Sequence, residues 1–179
     1  MPPESLLVSR LQALDLRAAE LEKEIAALPR HVAVIEKTLE SHVRRLEADR
    51  AALSGNHKER KKLEGDIQLH EQKISKLRDQ MLGAKTNEQY RAFQHEIEYI
   101  EKEIRRAEDR ILELMSESEP LERNVKTAEA ALGEEKKSVE AEKKIAQERT
   151  AADQTQLAAC RAERAEAAKA ITAPTLSTY

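Results

Sequence analysis

The sequence predicts an all-α fold: a long antiparallel two-helix coiled-coil hairpin, kinked near Pro29 and Pro120. Two observations carry this prediction. Charged residues make up 36% of the chain and aromatic residues only 2%, a composition typical of long helices rather than of a mixed globular core. Apolar residues also recur every three or four positions on both sides of a central turn, and a sustained period of this kind is typical of a coiled coil.

The central turn contains a helix stop signal followed at once by a helix start signal. Gly83 can adopt the left-handed conformation that ends many helices. Thr86 and Gln89 have the spacing of a capping box, in which each side chain accepts a hydrogen bond from a free backbone amide. We therefore expect the chain to reverse here. The expected divisions are a hairpin over 1–173, made of arm one over 5–81, a turn over 82–86 and arm two over 87–172.

The apolar spacing of arm one runs without a skip up to the turn. Because it continues across Pro29, we expect a bend there rather than a break. The seam becomes polar between His42 and Arg60, which leaves two interpretations: a hinge or register-fixing device, or a weakly packed coil. The predicted seam of arm one is Leu7, Leu11, Leu14, Ala18, Leu21, Ile25, Leu28, Val32, Ile35, Leu39, His42, Leu46, Asp49, Leu53, Asn56, Arg60, Leu63, Ile67, His70, Ile74, Leu77 and Met81.

The same spacing resumes in arm two, where Pro120 should bend the helix or restart it. Beyond Val139 we expect the seam to fade into an alanine-rich stretch that faces the leucine-rich start of arm one. With the turn centred near residue 84, each residue is expected to face its mirror image about that point. The predicted seam of arm two is Tyr90, Phe93, Ile97, Ile100, Ile104, Ala107, Ile111, Leu114, Ser118, Leu121, Val125, Ala128 and Leu132.

Charge and composition narrow the classes of function. The formal net charge is -3 with both signs interspersed, so bulk attraction to nucleic acid or to an anionic membrane is not indicated. No apolar run approaches the roughly 20 residues of a membrane span, and the N-terminus lacks a signal-peptide pattern. A single cysteine cannot form an internal disulfide. We therefore expect a cytoplasmic protein with no membrane association.

No catalytic or phosphate-binding motif is present, and a two-helix seam offers no dry pocket, so we expect neither enzymatic activity nor a small-molecule substrate. Pairing each residue with its mirror image about residue 84 places His70 near His95. However, His70 is a seam residue and His95 falls on the outer face, so we expect packed or solvated histidines rather than a metal site. Cys160 is expected to be a small seam residue.

A basic run is the one feature that favours nucleic acid. Its cations can contact phosphates, although Glu59 and Glu64 dilute it and such runs are often solvated coiled-coil faces. We keep RNA or DNA binding as the alternative function. Its candidate residues are Lys58, Arg60, Lys61 and Lys62.

The turn region resembles the signature of a bacterial family in which a coiled-coil hairpin carries a C-terminal four-cysteine zinc ribbon. The start of arm one, with Leu11-Gln12-x-Leu14-Asp15 and later Leu28-Pro29, is also similar to that family. The ribbon needs two CxxC pairs, and this chain has one cysteine. No cofactor is therefore expected in this chain, and zinc only where a ribbon follows. The signature positions are filled by Lys85, Thr86, Asn87, Tyr90, Ala92, Glu96 and Ile97.

The resemblance implies an adaptor or chaperone-like protein, with relatives linked to flagellar or type III export components and to the sigma-54 type of sigma factor. It also implies that residues 174–179 are a tail leading towards a ribbon. Protein partners are expected at the turn, where the candidate contact residues serve either capping and packing or partner binding. We expect a monomeric hairpin, with a parallel dimer as the alternative. The candidates are Lys85, Thr86, Asn87 and Tyr90.

Overall fold

Two long helices and one short helix account for most of the chain. The structure, a computed structural model, describes residues 4–178; residues 1–3 of the expected hairpin and Tyr179 of the expected tail lie outside them. No strand occurs within the described range. The helices are α1 (Glu4–Leu82), α2 (Asn87–Lys169) and α3 (Ala173–Thr178).

The predicted all-α hairpin of two antiparallel helices is confirmed. Cross-arm contacts join the start of α1 to the end of α2 and the end of α1 to the start of α2, which is the pattern of a chain that doubles back. Both helices run unbroken through their prolines, Pro29 in α1 and Pro120 in α2. The α3 helix occupies most of the expected tail.

The chain divides into two compact units. The tip unit, Val43–Ala131, contains the turn and the neighbouring parts of both arms. The terminal unit combines Met1–His42 with Leu132–Tyr179, of which the structure describes residues 4–42 and 132–178. In each unit a segment of α1 packs against an antiparallel segment of α2.

The predicted seams are confirmed with two exceptions, His42 and Tyr90. Every other residue of the two predicted seams is buried or half-buried. His42 is exposed because its imidazole turns outwards to Glu135, with Nδ1 2.8 Å from Oε2. Val43 takes a half-buried position beside it. Tyr90 is 48% exposed because it lies beyond the last seam residue of α1.

The expected alanine-rich seam at the end of α2 is wrong. Most of those alanines are exposed, among them Ala151, Ala152, Ala158 and Ala159. The three-to-four spacing continues instead, because position on the helix decides which side chain faces the other arm, whatever its polarity. The buried or half-buried residues of this stretch are Lys143, Ala146, Thr150, Asp153, Leu157, Cys160, Arg164, Ala167 and Ala168.

The mirror-image pairing about residue 84 is also wrong away from the turn. Leu14 should face Gln154, but the Cys160 thiol donates a hydrogen bond to the Leu14 carbonyl at 3.2 Å. Side chains lean towards the N-terminus of their own helix, so those of α2 lean towards the turn. A residue of α2 therefore contacts a point nearer the turn than its own Cα. Cys160 is buried at the seam, as expected of a small seam residue.

Asn56 is the polar centre of the tip-unit seam. It is 7% exposed, and its Nδ2 donates to the Leu114 backbone carbonyl of α2 at 2.8 Å. Ser118, four residues after Leu114, is also buried, and its hydroxyl donates to the Met115 carbonyl at 2.9 Å. The polar part of arm one is thus packed and bonded to the other arm, which favours the register-fixing interpretation over a weakly packed coil.

Candidate functional site

The turn between α1 and α2 is closed by short backbone hydrogen bonds. Gly83 N–H donates to the Gln80 carbonyl at 3.0 Å, and Ala84 N–H donates to the Met81 carbonyl at 3.1 Å. In both bonds the donor lies three residues after the acceptor. This spacing tightens the last turn of α1 and satisfies carbonyls that a helix end leaves free. No glycine among residues 4–178 has a positive φ, so the left-handed conformation predicted for Gly83 is wrong.

The predicted capping box is confirmed. Gln89 N–H donates to the Thr86 hydroxyl oxygen at 3.2 Å, and Lys85 N–H donates to the Gln89 side-chain oxygen at 3.1 Å. The amide that donates to Gln89 is that of Lys85, one residue before the N-cap residue Thr86. Because the Thr86 hydroxyl is engaged in starting α2, capping accounts for this residue.

The other signature residues of the turn expose their side chains. We call residues 82–90 the tip. Lys85 and Asn87 are exposed, and Tyr90 is half-exposed. Leu82, the last residue of α1, is 87% exposed. Sequence reasoning missed Leu82, although its position one residue past the seam residue Met81 was the available signal.

A compact apolar cluster supports the tip from below. Its buried members come from both arms, and three partly buried side chains pack against them. Cross-arm ion pairs flank it: Arg78 reaches Glu101 at 3.3 Å and Lys73 reaches Glu96 at 3.1 Å. The tip residues therefore stand on a packed base. The cluster contains Ile74, Leu77, Ile97 and Ile100, with Met81, Phe93 and Ile104 against it.

The structure separates the four basic candidates of the alternative function. Lys58, Lys61 and Lys62 are exposed and have no ion-pair partner within residues 4–178. Arg60 is half-buried at a seam position, and its Nε is buried without a hydrogen-bond partner among the described residues. Arg60 therefore does not belong to the same surface as the three lysines.

The carboxylate inside the basic run is already neutralised. Glu59 accepts a hydrogen bond from the Arg110 guanidinium at 3.1 Å, and Arg110 also contacts Glu113 and Glu117. The hydrogen bond to Glu59, followed by that to Glu113, raises the pKa of Arg110 above its ordinary value. Glu59 thus pairs with α2 rather than with the lysines, whereas Glu64 has no ion-pair partner within residues 4–178.

The histidines do not converge. His70 is half-buried, whereas His95 is exposed and lies 3.8 Å from Glu98 on its own helix. Within residues 4–178 there is no group of three histidine, cysteine or acidic side chains arranged to hold a metal ion. The same residues include no helix that is long and apolar enough to cross a membrane.

Comparisons with known proteins agree on the fold. The family described as the CT398-like coiled coil hairpin domain matches residues 11–179. The 2.12 Å resolution structure of CT398 from Chlamydia trachomatis is similar, with a TM-score of 0.84 and 19% sequence identity. The similarity covers 98% of this chain and 75% of that one, and at this identity it shows the fold alone. No curated protein matches the chain.

Proposed function

Because the chain belongs to the CT398-like coiled-coil hairpin domain family, we propose that it is a non-enzymatic adaptor or chaperone-like module whose tip binds protein partners. A coiled-coil hairpin of this kind supports an interaction role rather than catalysis, since a seam between two helices offers no enclosed site for a substrate. The proposed contact residues are Lys85, Asn87 and Tyr90, and Thr86 of the predicted set caps α2 and so fixes their positions.

The exposure of Tyr90 is the observation that carries this proposal. Tyr90 has the seam spacing of α2, yet it is 48% exposed because α1 has already ended. An aromatic ring held on a packed base, with half its surface in water, buries a large area when a partner covers it. The supporting cluster fixes its position before binding, which lowers the entropic cost of association.

The resemblance of the tip sequence supports a narrower proposal. The partners are components of flagellar or type III export and a sigma factor of the sigma-54 type, and the interaction takes place in the cytoplasm. This narrower proposal rests on the signature residues of the turn, whereas the general one rests on exposure and packing.

Site-specific photocrosslinking in living cells tests the tip proposal. A benzophenone amino acid replaces either Tyr90 or Tyr99, which is a matched control because it is an exposed tyrosine of the same helix, 64% exposed. We expect a discrete protein adduct from position 90 and a much weaker one from position 99. Equal adducts at both positions, or none at position 90, would contradict the proposal.

Nucleic-acid binding is the second candidate, and the exposed, unpaired state of Lys58, Lys61 and Lys62 favours it. Phosphate contacts make affinity fall with salt, with a logarithmic slope of roughly 0.9 per contact. If these lysines bind RNA or DNA, replacing all three by glutamine lowers the slope by about 3 in a salt titration. Arg60→Gln is the control, since its half-buried side chain should leave the slope unchanged.

A further inference from the structure

We infer that the tip binds an acidic amphipathic segment of a partner protein, with Leu82 as the apolar anchor and Lys85 and Arg91 as the charge contacts. This inference rests on the proposed function and names the chemistry of the partner. Leu82 and Arg91 are not among the signature residues of the turn. They are identified by exposure and by helical register.

Leu82 is the most exposed of the large apolar side chains in the described chain. It closes α1 but lies outside the seam, because Met81 occupies the seam position before it. The packed cluster beneath the tip therefore cannot cover it. Single exposed leucines are common on protein surfaces, so its meaning depends on what surrounds it.

Helical register places Leu82, Asn87 and Arg91 on one side of the hairpin. In an antiparallel pair, the e positions of the two helices meet on one side of the seam and the g positions on the other. The ion pair of Arg78 with Glu101 marks the e side. Leu82 and Arg91 occupy b positions and Asn87 an e position, and b lies next to e around a helix.

Cations outnumber carboxylates in the turn and the first residues of α2. Lys85 and Arg91 have no ion-pair partner within residues 4–178. Within residues 82–91 the one carboxylate is Glu88, at an f position three residues before Arg91. Further along the same side, Glu98 lies 3.8 Å from His95, and Glu101 is paired with Arg78.

The backbone leaves this balance unchanged. The negative C-terminal end of α1 and the positive N-terminal end of α2 lie next to each other at the turn, so their dipoles largely offset. Side chains therefore decide the sign, and a partner with carboxylates around an apolar residue is complementary to Leu82, Lys85 and Arg91.

A protein partner fits this surface better than a nucleic acid does. Two unpaired cations provide few phosphate contacts. Single-stranded nucleic acids are bound by aromatic side chains on which successive bases stack, and the tip has one such ring, Tyr90. The apolar face of an amphipathic helix, in contrast, buries a leucine and places its acidic flanks over the cations.

Three synthetic amphipathic peptides test the inference by fluorescence anisotropy with the full chain. They share one leucine face and carry flanks of glutamate, glutamine or lysine. We expect the glutamate peptide to bind best, and Leu82→Ser to weaken it about tenfold or more, because one leucine loses its burial on binding. The double variant Lys85→Glu with Arg91→Glu should reverse the preference towards the lysine peptide.

Leu69→Ser is the matched control, since Leu69 is also an exposed leucine of α1, 63% exposed, but lies away from the tip. It should leave binding unchanged, and circular dichroism should show every variant equally folded. Equal binding of the three peptides, no binding by any of them, equal loss in Leu69→Ser, or displacement of the glutamate peptide by a single-stranded RNA would overturn the inference. If position 90 gives a crosslinked adduct but the three peptides bind equally, this inference is wrong and the proposed function stands.

Discussion

The tip unit and the terminal unit use the same helical pairing with different seams. In the tip unit both arms supply large apolar side chains, which form one cluster around Ile74 and Ile100. In the terminal unit α1 supplies buried leucines, Leu11 and Leu21, whereas α2 mixes buried large apolar residues such as Leu157 with smaller or polar ones. Buried residues of α2 there include Ala146, Asp153 and Cys160.

Cross-arm ion pairs are frequent in the terminal unit. Glu24 pairs with Arg149 at 3.2 Å, and Glu36 pairs with Lys143 at 2.8 Å, which raises the pKa of that lysine. Exposed pairs of this kind contribute about 0–1 kcal/mol each and weaken with salt. The difference teaches that large apolar side chains of both arms form one packed cluster beneath the tip, whereas small and polar residues interrupt the α2 side of the terminal seam.

The largest expected effect comes from Ile100→Ala. Ile100 is 3% exposed inside the tip cluster, so its truncation leaves a cavity and should lower the free energy of local opening by about 2–5 kcal/mol. Amide hydrogen exchange measures that free energy separately in the tip and terminal units. The matched variant is Leu157→Ala, because Leu157 is 9% exposed at the terminal seam.

Leu157→Ala should cost less, near the lower end of that range, because Leu157 is not part of the packed apolar cluster that contains Ile100. Equal losses in the two units would show that the seams are equally well packed and would remove the comparison.

A smaller effect of opposite sign is expected for Asp153→Leu. Asp153 is 7% exposed, and its Oδ2 has no hydrogen-bond partner among the described residues. Leucine removes this desolvated oxygen and extends the apolar seam, so the terminal unit should gain about 1–2 kcal/mol in urea unfolding. Asp153→Asn retains a buried polar group and should gain little. A destabilised leucine variant would contradict this account.

The smallest effect concerns Glu4 and pH. Hydrogen bonds from the Thr172 hydroxyl, the Thr172 amide and the Thr175 hydroxyl lower the pKa of Glu4 below its ordinary value of 4.5. A lowered pKa stabilises the folded state above the unfolded value, and this contribution is lost as pH falls through the folded value.

We therefore expect the protection factor of the Thr172 amide, its exchange rate relative to that of an unfolded chain at the same pH, to decrease as pH is lowered below 4.5, as measured by NMR. In Glu4→Gln this pH-dependent decrease in protection should be absent. A decrease of equal size in that variant would show that another carboxylate causes it.

Most of the fold could be predicted from the sequence, because one period determines which side chains are buried. The exceptions have local causes: His42 turns outwards to Glu135, and Tyr90 extends past the end of α1. The alanines beyond Val139 misled the prediction, since residue type was given more weight there than spacing. The strict alternation would have selected Asp153 but Gln156 in place of Leu157, because the buried series takes two steps of four residues at 135, 139 and 143.

The candidate site could be predicted only in part. The capping box follows from two residue types at a fixed spacing, so Thr86 and Gln89 could be assigned to it. Leu82 was missed, although its position one residue past the seam residue Met81 places it outside the seam. The seam spacing had already placed Arg60 between the arms, so its separation from the neighbouring lysines follows from the sequence.

The hydrogen bond of Asn56 has a consequence for how the pairing of the arms is encoded. Its acceptor is the main-chain carbonyl of Leu114, not a side chain. Exchanging the residue at 114 therefore leaves the acceptor in place, whereas any residue without an amide at 56 removes the donor. The contact therefore depends on the side chain at position 56 of α1, and substitutions at position 114 of α2 leave it intact.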